Sequence, residues 1–336
     1  MKLGRNSAAF QRLLLTSSLC SVAAAPHFND TVGSTANGEQ ERLERMISGF
    51  VRRMQDNGVE NMDLMDYVVC SCIIMFGFEF ISFAVHKSGY VFQQKLIPVR
   101  GKHLDEFSKT DRLYITLNKL ATIPFIYIFV KFLYHEPNAK WSLQEISFTN
   151  LLLPIVAFFI IYDFFYTLLH WALHIQAIYG YVHKHHHRQK APSRANTDAV
   201  NVNPIEFFLG EYNHLFTIFI YTTILGFDLH VLTVPLVLAT GAVLAGLNHT
   251  RYDSTVVLPF SVFGRRITIY DSKWHDVHHR IPQSNYGQYT NLWDRIFGTF
   301  REYDPNDRVN PKNQLDPKTG KSLQYELNGS AGSKLE

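Results

Sequence analysis

Five apolar segments, each close to the length that crosses a lipid bilayer, constrain this chain most strongly. They are Tyr67–Val85, Tyr114–Leu133, Leu151–Leu173, Phe207–Phe227 and Leu229–Leu247. A helix needs about 20 apolar residues to span the hydrocarbon core, and only helices or closed barrels satisfy the backbone there. The fourth segment contains Glu211, Asn213 and His214, which favours partial immersion or a place beside a cavity. The sequence therefore predicts an all-α integral membrane protein with about four to five spans.

The N-terminal region has the features of a targeting signal. In residues 1–25, three basic residues precede a short apolar stretch that ends in small residues, which is typical of a secretory signal peptide. An organelle transit peptide is the alternative, because no acidic residue precedes Asp30. Residues 26–64 are predicted to contain a polar segment and an amphipathic helix, which lies at the membrane interface or packs on the rest of the protein. Residues 303–336 are predicted to form a polar tail.

The distribution of basic residues predicts which way the spans run. The loop after the first span contains Lys87, Lys95, Arg100, Lys102, Lys109 and Arg112, whereas the loop after the second contains only Lys140. Because cytoplasmic loops carry the excess of Lys and Arg, residues 86–113 are expected to be cytosolic and the N-terminus lumenal. Alternating the later spans then brings the segments at 170–187, 249 and 275–279 to the cytosolic side together.

Three histidine clusters lie at the ends of these apolar segments. The first cluster is His170 and His174, the second is His183, His186 and His187, and the third is His275, His278 and His279; His249 ends the last apolar segment and adds a ninth imidazole. Neutral imidazole is the commonest metal ligand, and neither packing nor solubility requires it at these spacings. Adjacent histidines on a helix point about 100° apart, which suits a ligand set that surrounds two ions. The sequence therefore predicts a di-metal site.

The ligand type favours iron as the metal. Eight or nine nitrogen ligands are too many for one tetrahedral zinc ion, which takes four. Iron accepts imidazole and keeps positions open for dioxygen, so two iron ions are expected, and zinc can displace them. The sequence lacks the His-Glu-x-x-His motif of zinc proteases. Only one Glu-x-x-His pair lies near the clusters, Glu211 with His214, so the soluble di-iron bundles do not fit either.

Four further residues are candidates for supporting the metal ligands. Asp163 lies in an apolar helix seven residues before His170, where a carboxylate is costly unless it is paired, so it is expected to accept a hydrogen bond from a ligand ring or to pair with another helix. Glu206, His214 and Asp253 are weaker candidates for the same role. Isolated histidines such as His86, His103, His135 and His230 are interpreted as structural, and His185 is interpreted as the spare member of its run.

At these residues the chain resembles the fatty acid hydroxylase/sterol desaturase superfamily. The resemblance covers residues 162–302. Its motifs are Asp163-Phe-Phe-Tyr-Thr-Leu-Leu-His170, Tyr179-Gly-Tyr-Val-His183-Lys-x-His186-His187, His275-Asp-Val-His278-His279 and the stretch from Asn285 to Thr299. The Asn-Tyr-Gly-Gln stretch is more similar to sterol C5-desaturases, and His-Asp-Val-His-His is more similar to sterol C4-methyl oxidases and sphingoid-base hydroxylases. The chain departs from many relatives at Asn203, where they have a histidine before Pro-x-Glu.

The resemblance implies a four-helix membrane anchor and a cytosolic di-metal site that uses O2 and electrons from cytochrome b5 or a similar carrier. We expect residues 65–150 to hold the first two membrane helices and residues 151–302 to form the catalytic domain. The expected function is an oxygenase of the endoplasmic reticulum membrane that hydroxylates or desaturates a sterol, a sphingoid base or a fatty acyl chain. The alternative is a membrane metal-binding or regulatory protein without turnover.

Overall fold

A computed structural model of the chain describes residues 63–100, 103–262 and 265–305. The expected signal peptide (1–25), the amphipathic helix within residues 26–64 and nearly all of the polar tail (303–336) lie outside the described residues. The helices are α1 (Leu64–Val91), α2 (Lys109–His135), α3 (Phe148–Leu151), α4 (Leu153–Leu173), α5 (Gln176–Tyr179), α6 (Asn196–Ala199), α7 (Pro204–Phe219), α8 (Thr233–Asn248), α9 (Ser272–Arg280) and α10 (Leu292–Phe297). The strands are β1 (Ala139–Lys140), β2 (Leu229–His230), β3 (Thr255–Val262) and β4 (Arg265–Asp271).

Three helical segments of the described chain are long and apolar enough to cross a membrane. They are Leu64–Gly89, Lys109–His135 and Phe148–Leu173. On α1, Phe76, Phe80 and Phe83 are exposed, as expected for side chains that face lipid. The two other expected spans correspond to shorter helices. α7 continues into a π-helical turn at Ile220–Ile224, and the 16 residues of α8 reach about 24 Å, less than the ~30 Å hydrocarbon core.

The polar residues inside the first two spans are satisfied by neighbouring segments. Glu79 is the one charged residue of the first apolar segment, and its carboxylate lies 2.7 Å from the Lys119 ammonium of α2. Asn118 is fully buried and its amide donates to the carbonyls of Val200 and Val202. Because charged and polar groups are costly in lipid unless they are paired, these contacts explain how α1 and α2 carry them.

The helices form a bundle whose two ends differ. At one end, β1 pairs with β2 in parallel, which ties the end of α2 to the start of α8. At the other end lie the C-termini of α4 and α8 and the N-terminus of α7. The first histidine cluster lies at the C-terminus of α4, the second between α5 and α6, and the third on α9. An aromatic core that includes Phe125, Phe129, Phe158 and Tyr162 fills the space between the ends.

A β-hairpin interrupts the helical fold between α8 and α9. Strands β3 and β4 pair antiparallel, with Thr255 opposite Asp271 and two irregularities in the register. The sequence analysis assigned no element to this stretch. The signal was nevertheless present, because Thr255-Val256-Val257 and Ile267-Thr268-Ile269 are runs of β-branched residues, which favour strands.

Candidate metal centre

The nine histidines that the sequence analysis selected lie in two spatial groups. The five-histidine group contains His170, His174, His183, His187 and His278, and the four-histidine group contains His186, His249, His275 and His279. Within each group, one ring nitrogen per residue lies within 4.8 Å of all the others. Histidines that are adjacent in the sequence belong to different groups, as the angle of about 100° between neighbouring side chains on a helix predicts. His186 and His187 join different groups, and so do His278 and His279.

The five-histidine group is centred on His183, which is 1% exposed. Its Nε2 atom lies 3.0 Å from Nε2 of His170 and 2.9 Å from Nε2 of His187. Nε2 of His278 is 3.1 Å from that of His187. The ring of His174 completes the group, with its centroid 4.5 Å from that of His183. Ligands from α4, from α9 and from the loop between α5 and α6 therefore converge on one small volume.

The four-histidine group lies directly beside the first. Nε2 of His275 is 3.2 Å from Nε2 of His249 and 3.0 Å from Nε2 of His279. The ring of His186 lies 4.7 Å from the ring of His279 between centroids. The two groups adjoin where the rings of His187 and His279 approach to 5.2 Å. All four residues are buried.

Backbone carbonyls set the orientation of three of these rings. Nδ1 of His170 lies 2.8 Å from the carbonyl oxygen of Tyr286. Nδ1 of His278 lies 2.6 Å from that of Ser284, and Nδ1 of His249 lies 2.8 Å from that of Ala245. A carbonyl oxygen only accepts, so each Nδ1 must carry the proton and each Nε2 presents a bare lone pair. These Nε2 lone pairs point towards other nitrogens about 3 Å away, an arrangement that a shared cation stabilises.

The donor set fits metal ions on two further grounds. Burial lowers the pKa of His183 to about 3, and burial followed by the neighbouring imidazoles holds the pKa of His187 and His279 far below the ordinary value. The rings are therefore neutral, which is the form of imidazole that binds a metal ion. With a metal–nitrogen distance of about 2.1 Å, ligands at right angles lie about 3.0 Å apart and tetrahedral ligands about 3.4 Å apart. The observed Nε2–Nε2 separations of 2.9–3.2 Å are close to these values, so the two nitrogens of such a pair could bind one metal ion.

The loop after α9 supplies the carbonyls and is held by two buried carboxylates. Asp163 of α4 accepts from the backbone N–H of Tyr289 at 3.1 Å and of Thr290 at 2.6 Å. Asp294 of α10 accepts from the backbone N–H of Tyr286 at 2.7 Å and of Gly287 at 2.8 Å. The structure thus corrects the expectation for Asp163, because it holds the loop that orients His170 instead of accepting from a histidine ring. Sequence analysis missed Asp294, which stands inside the quoted family motif.

Glu206 is the carboxylate that approaches a ligand directly. Its Oε1 atom lies 2.8 Å from Nδ1 of His183, and both side chains are largely buried. The separation is that of a hydrogen bond, although the ring N–H does not point straight at the oxygen. Asn203, which replaces the histidine of many relatives, caps α7 instead, since its side chain accepts from the backbone N–H of Ile205 at 2.9 Å.

The other two supporting candidates lie away from the metal groups. The ring of His214 packs against that of Tyr162 at a tilt, with centroids 4.5 Å apart, and its Nδ1 contacts carbonyls of its own helix. It therefore belongs to neither histidine group. Asp253 forms ion pairs with Lys95 and Lys273. Both expectations were wrong, because packing turns these side chains towards other partners.

An ion pair that the sequence analysis did not select fixes α9 in place. Asp276 lies between the ligands His275 and His278, and it pairs with Arg251 at 2.7 Å and with Arg280 at 3.1 Å. Arg251 is 4% exposed and also donates to the carbonyls of Ile97 and Pro98. The sequence did contain a signal for this network, because Asp276 is a charged residue between two histidines of the third cluster.

The histidines interpreted as structural lie outside both groups. His185 is held by Asp111 at 2.9 Å and Asn201 at 3.0 Å. Nδ1 of His103 lies 2.7 Å from the Ala191 carbonyl, and Nε2 of His230 lies 3.1 Å from the Ser142 carbonyl. These contacts explain their presence without a metal.

Comparison with known proteins identifies a family and several relatives to which the chain is similar. Residues 155–299 match the fatty acid hydroxylase family. Human lathosterol oxidase is 29% identical over 189 residues, which cover 55% of this chain and 58% of that protein. The probable Delta(7)-sterol 5(6)-desaturase of Neurospora crassa is 25% identical over 230 residues, 56% of this chain and 61% of that protein.

A third relative is matched over a longer stretch. The C-4 methylsterol oxidase erg25 of Schizosaccharomyces pombe is 24% identical over 256 residues, which cover 74% of this chain and 80% of that protein. The chain spans less than two thirds of the lathosterol oxidases and of the Neurospora desaturase. No solved structure matches the chain.

Proposed function

Because the chain belongs to the fatty acid hydroxylase/sterol desaturase superfamily, we propose that it is a membrane oxygenase that hydroxylates or desaturates a lipid. Its relatives include sterol oxidases, sterol desaturases and a cholesterol hydroxylase-like protein. We therefore propose a sterol as the substrate class, ahead of a sphingoid base or a fatty acyl chain. The reaction would use O2 and electrons from cytochrome b5 or a similar external donor.

The observation that carries this proposal is the convergence of nine neutral imidazoles, eight of them buried, on two adjoining volumes. The five-histidine group would hold one iron ion and the four-histidine group a second, with zinc able to displace either. When bound, the two ions supply the activation of O2 that breaking an unactivated C–H bond requires. The chain supplies the orientation of the ligands through the carbonyls of Ser284, Tyr286 and Ala245.

The surroundings of the ligands support a lipid substrate. Tyr166 and Tyr286 pack against the ring of His170, with centroids 5.4 Å and 5.7 Å away, and help to exclude water. All the ligands lie at one end of the apolar helices, so a lipid in the adjacent leaflet needs to move only a short way to reach them. From the distribution of Lys and Arg we propose that this end faces the cytosol, with the protein in the endoplasmic reticulum membrane.

Lipid profiling with matched variants tests the proposal. Cells that express the chain should convert one sterol precursor, and cells with His278→Ala should not. His135→Ala is the control, because His135 is exposed at the end of α2, outside both groups. Unchanged sterol and sphingolipid profiles in all three lines, at equal expression and with metal bound, would favour the alternative of a metal-binding protein without turnover.

A further inference from the structure

The β-hairpin formed by β3 and β4 exposes an unusual amount of apolar surface. Its strands contact each other far more than they contact any other element of the described chain. Phe260 is 61% exposed, and Val256, Val257, Ile267 and Ile269 are each between 37% and 44% exposed. A two-stranded ribbon is at best marginally stable in water, and exposed apolar strands invite association. These exposed side chains would therefore gain free energy from contact with an apolar environment.

The base of the hairpin is anchored where the first candidate span ends. Tyr252 precedes β3, and its ring lies so close to Gly89 of α1 that a side chain at Gly89 would overlap it. The Tyr252 hydroxyl donates to the His86 carbonyl at 2.7 Å. The backbone N–H of Asp253 donates to the Lys95 carbonyl at 2.8 Å. The hairpin thus starts beside the C-terminal end of α1 and the first residues of the loop that follows it.

Apolar and cationic side chains surround this junction. Val91, the last residue of α1, and Phe92, which follows it, are both more than 70% exposed. Exposed cations accompany them, with Lys87 near the junction and Arg266 towards the far end of the hairpin. Apolar side chains flanked by basic ones are typical of elements that lie in the membrane interface and meet anionic headgroups.

We infer that the paired strands β3 and β4 form an interfacial membrane element, with their apolar side chains among the lipid acyl chains and Arg266 at the headgroups. Each strand, at about 3.3 Å per residue, is long enough to reach roughly 23–26 Å across the bilayer surface. β4 runs directly into α9, where the Asp271 side chain accepts from the backbone N–H of Lys273. The hairpin therefore ties the third histidine cluster to the lipid surface and sets the depth of the metal centre.

Fluorescence quenching in lipid nanodiscs tests this inference without relying on catalysis. In the full chain, with Cys20, Cys70 and Cys72 replaced by Ala, a bimane label is attached at Phe260→Cys. Phe76→Cys is the control inside the bilayer and Glu302→Cys is the control in water, since Glu302 is exposed and polar. We expect lipids with a nitroxide near the headgroup to quench the Phe260 label severalfold more than the Glu302 label, and aqueous iodide to do the reverse.

Two outcomes would overturn the inference. In one, the Phe260 label behaves like the Glu302 label, which would place the hairpin in water. In the other, it is shielded from both quenchers and energy transfer between labelled chains rises with protein density, which would assign the hairpin to contact with a second copy. Val257→Cys repeats the measurement on the same strand, and the Phe76 label reports whether each preparation has inserted.

Discussion

Replacing Asp163 by Asn tests whether a carboxylate of α4 controls the metal centre through the loop after α9. Asp163 is fully buried and accepts from the backbone N–H of Tyr289 and of Thr290. The same loop provides the Tyr286 carbonyl that orients His170. Asn has nearly the same shape, so the substitution changes charge and hydrogen bonding while leaving the packing almost unchanged.

The expected cost follows from the two hydrogen bonds. A hydrogen bond to a charged group contributes about 1.5–3 kcal/mol, a neutral one about 0.5–1.5 kcal/mol, and a buried donor without an acceptor costs about 1–3 kcal/mol. Asn keeps one carbonyl oxygen but turns an NH2 group towards the second N–H. We therefore expect the free energy of unfolding to decrease by about 2–4 kcal/mol, which means a less stable protein. Because the ligand-orienting loop moves, we expect metal affinity to fall roughly 10–100-fold.

Thermal unfolding in detergent and metal competition against a chelator measure the two effects. Asp294→Asn should behave in the same way, because Asp294 holds the same loop through Tyr286 and Gly287. Asp228→Asn is the matched control. It is 52% exposed and paired with Lys140, so its loss should cost at most about 1 kcal/mol. If Asp163→Asn lost stability but kept the metal affinity of the Asp228→Asn control, the proposed orienting role would be wrong.

Four further outcomes are expected. The purified protein should contain about two metal ions per chain, and elemental analysis that finds at most one, with every ligand present, would contradict the two-ion proposal. His186→Ala should abolish turnover while the protein stays in the membrane, whereas His135→Ala should match the unaltered chain in a complementation assay at equal expression. Arg251→Ala removes one of the two arginine partners of the buried Asp276 carboxylate and leaves Arg280 as the other, so it should lower stability by about 1.5–3 kcal/mol, measured by thermal unfolding. The N-glycosylation sequon Asn328-Gly-Ser330 should carry no glycan, and a glycan there would refute the proposal that the histidine clusters and the tail face the cytosol.

Sequence alone determined the features that depend on local spacing. Hydrophobic runs of membrane length predicted α1, α2 and α4, because each residue's contribution to a span depends on its own side chain. The i, i+4 and adjacent spacings predicted a set of histidines that surrounds two ions, because backbone helix geometry sets the angle between neighbouring side chains. His186 and His187 accordingly face different groups, and all nine selected histidines lie in one or the other.

Only the tertiary structure decided what supports those ligands. The acceptors for His170, His278 and His249 are backbone carbonyls, which every residue carries, so no residue type marks them. Asp163 meets its partners 126 and 127 residues further along the chain. His214 and Asp253 were wrongly selected for the same reason, since the direction of a side chain depends on the element packed against it. The ligands follow from local chemistry, whereas their orientation follows from contacts between distant segments, which exist only once the helices pack.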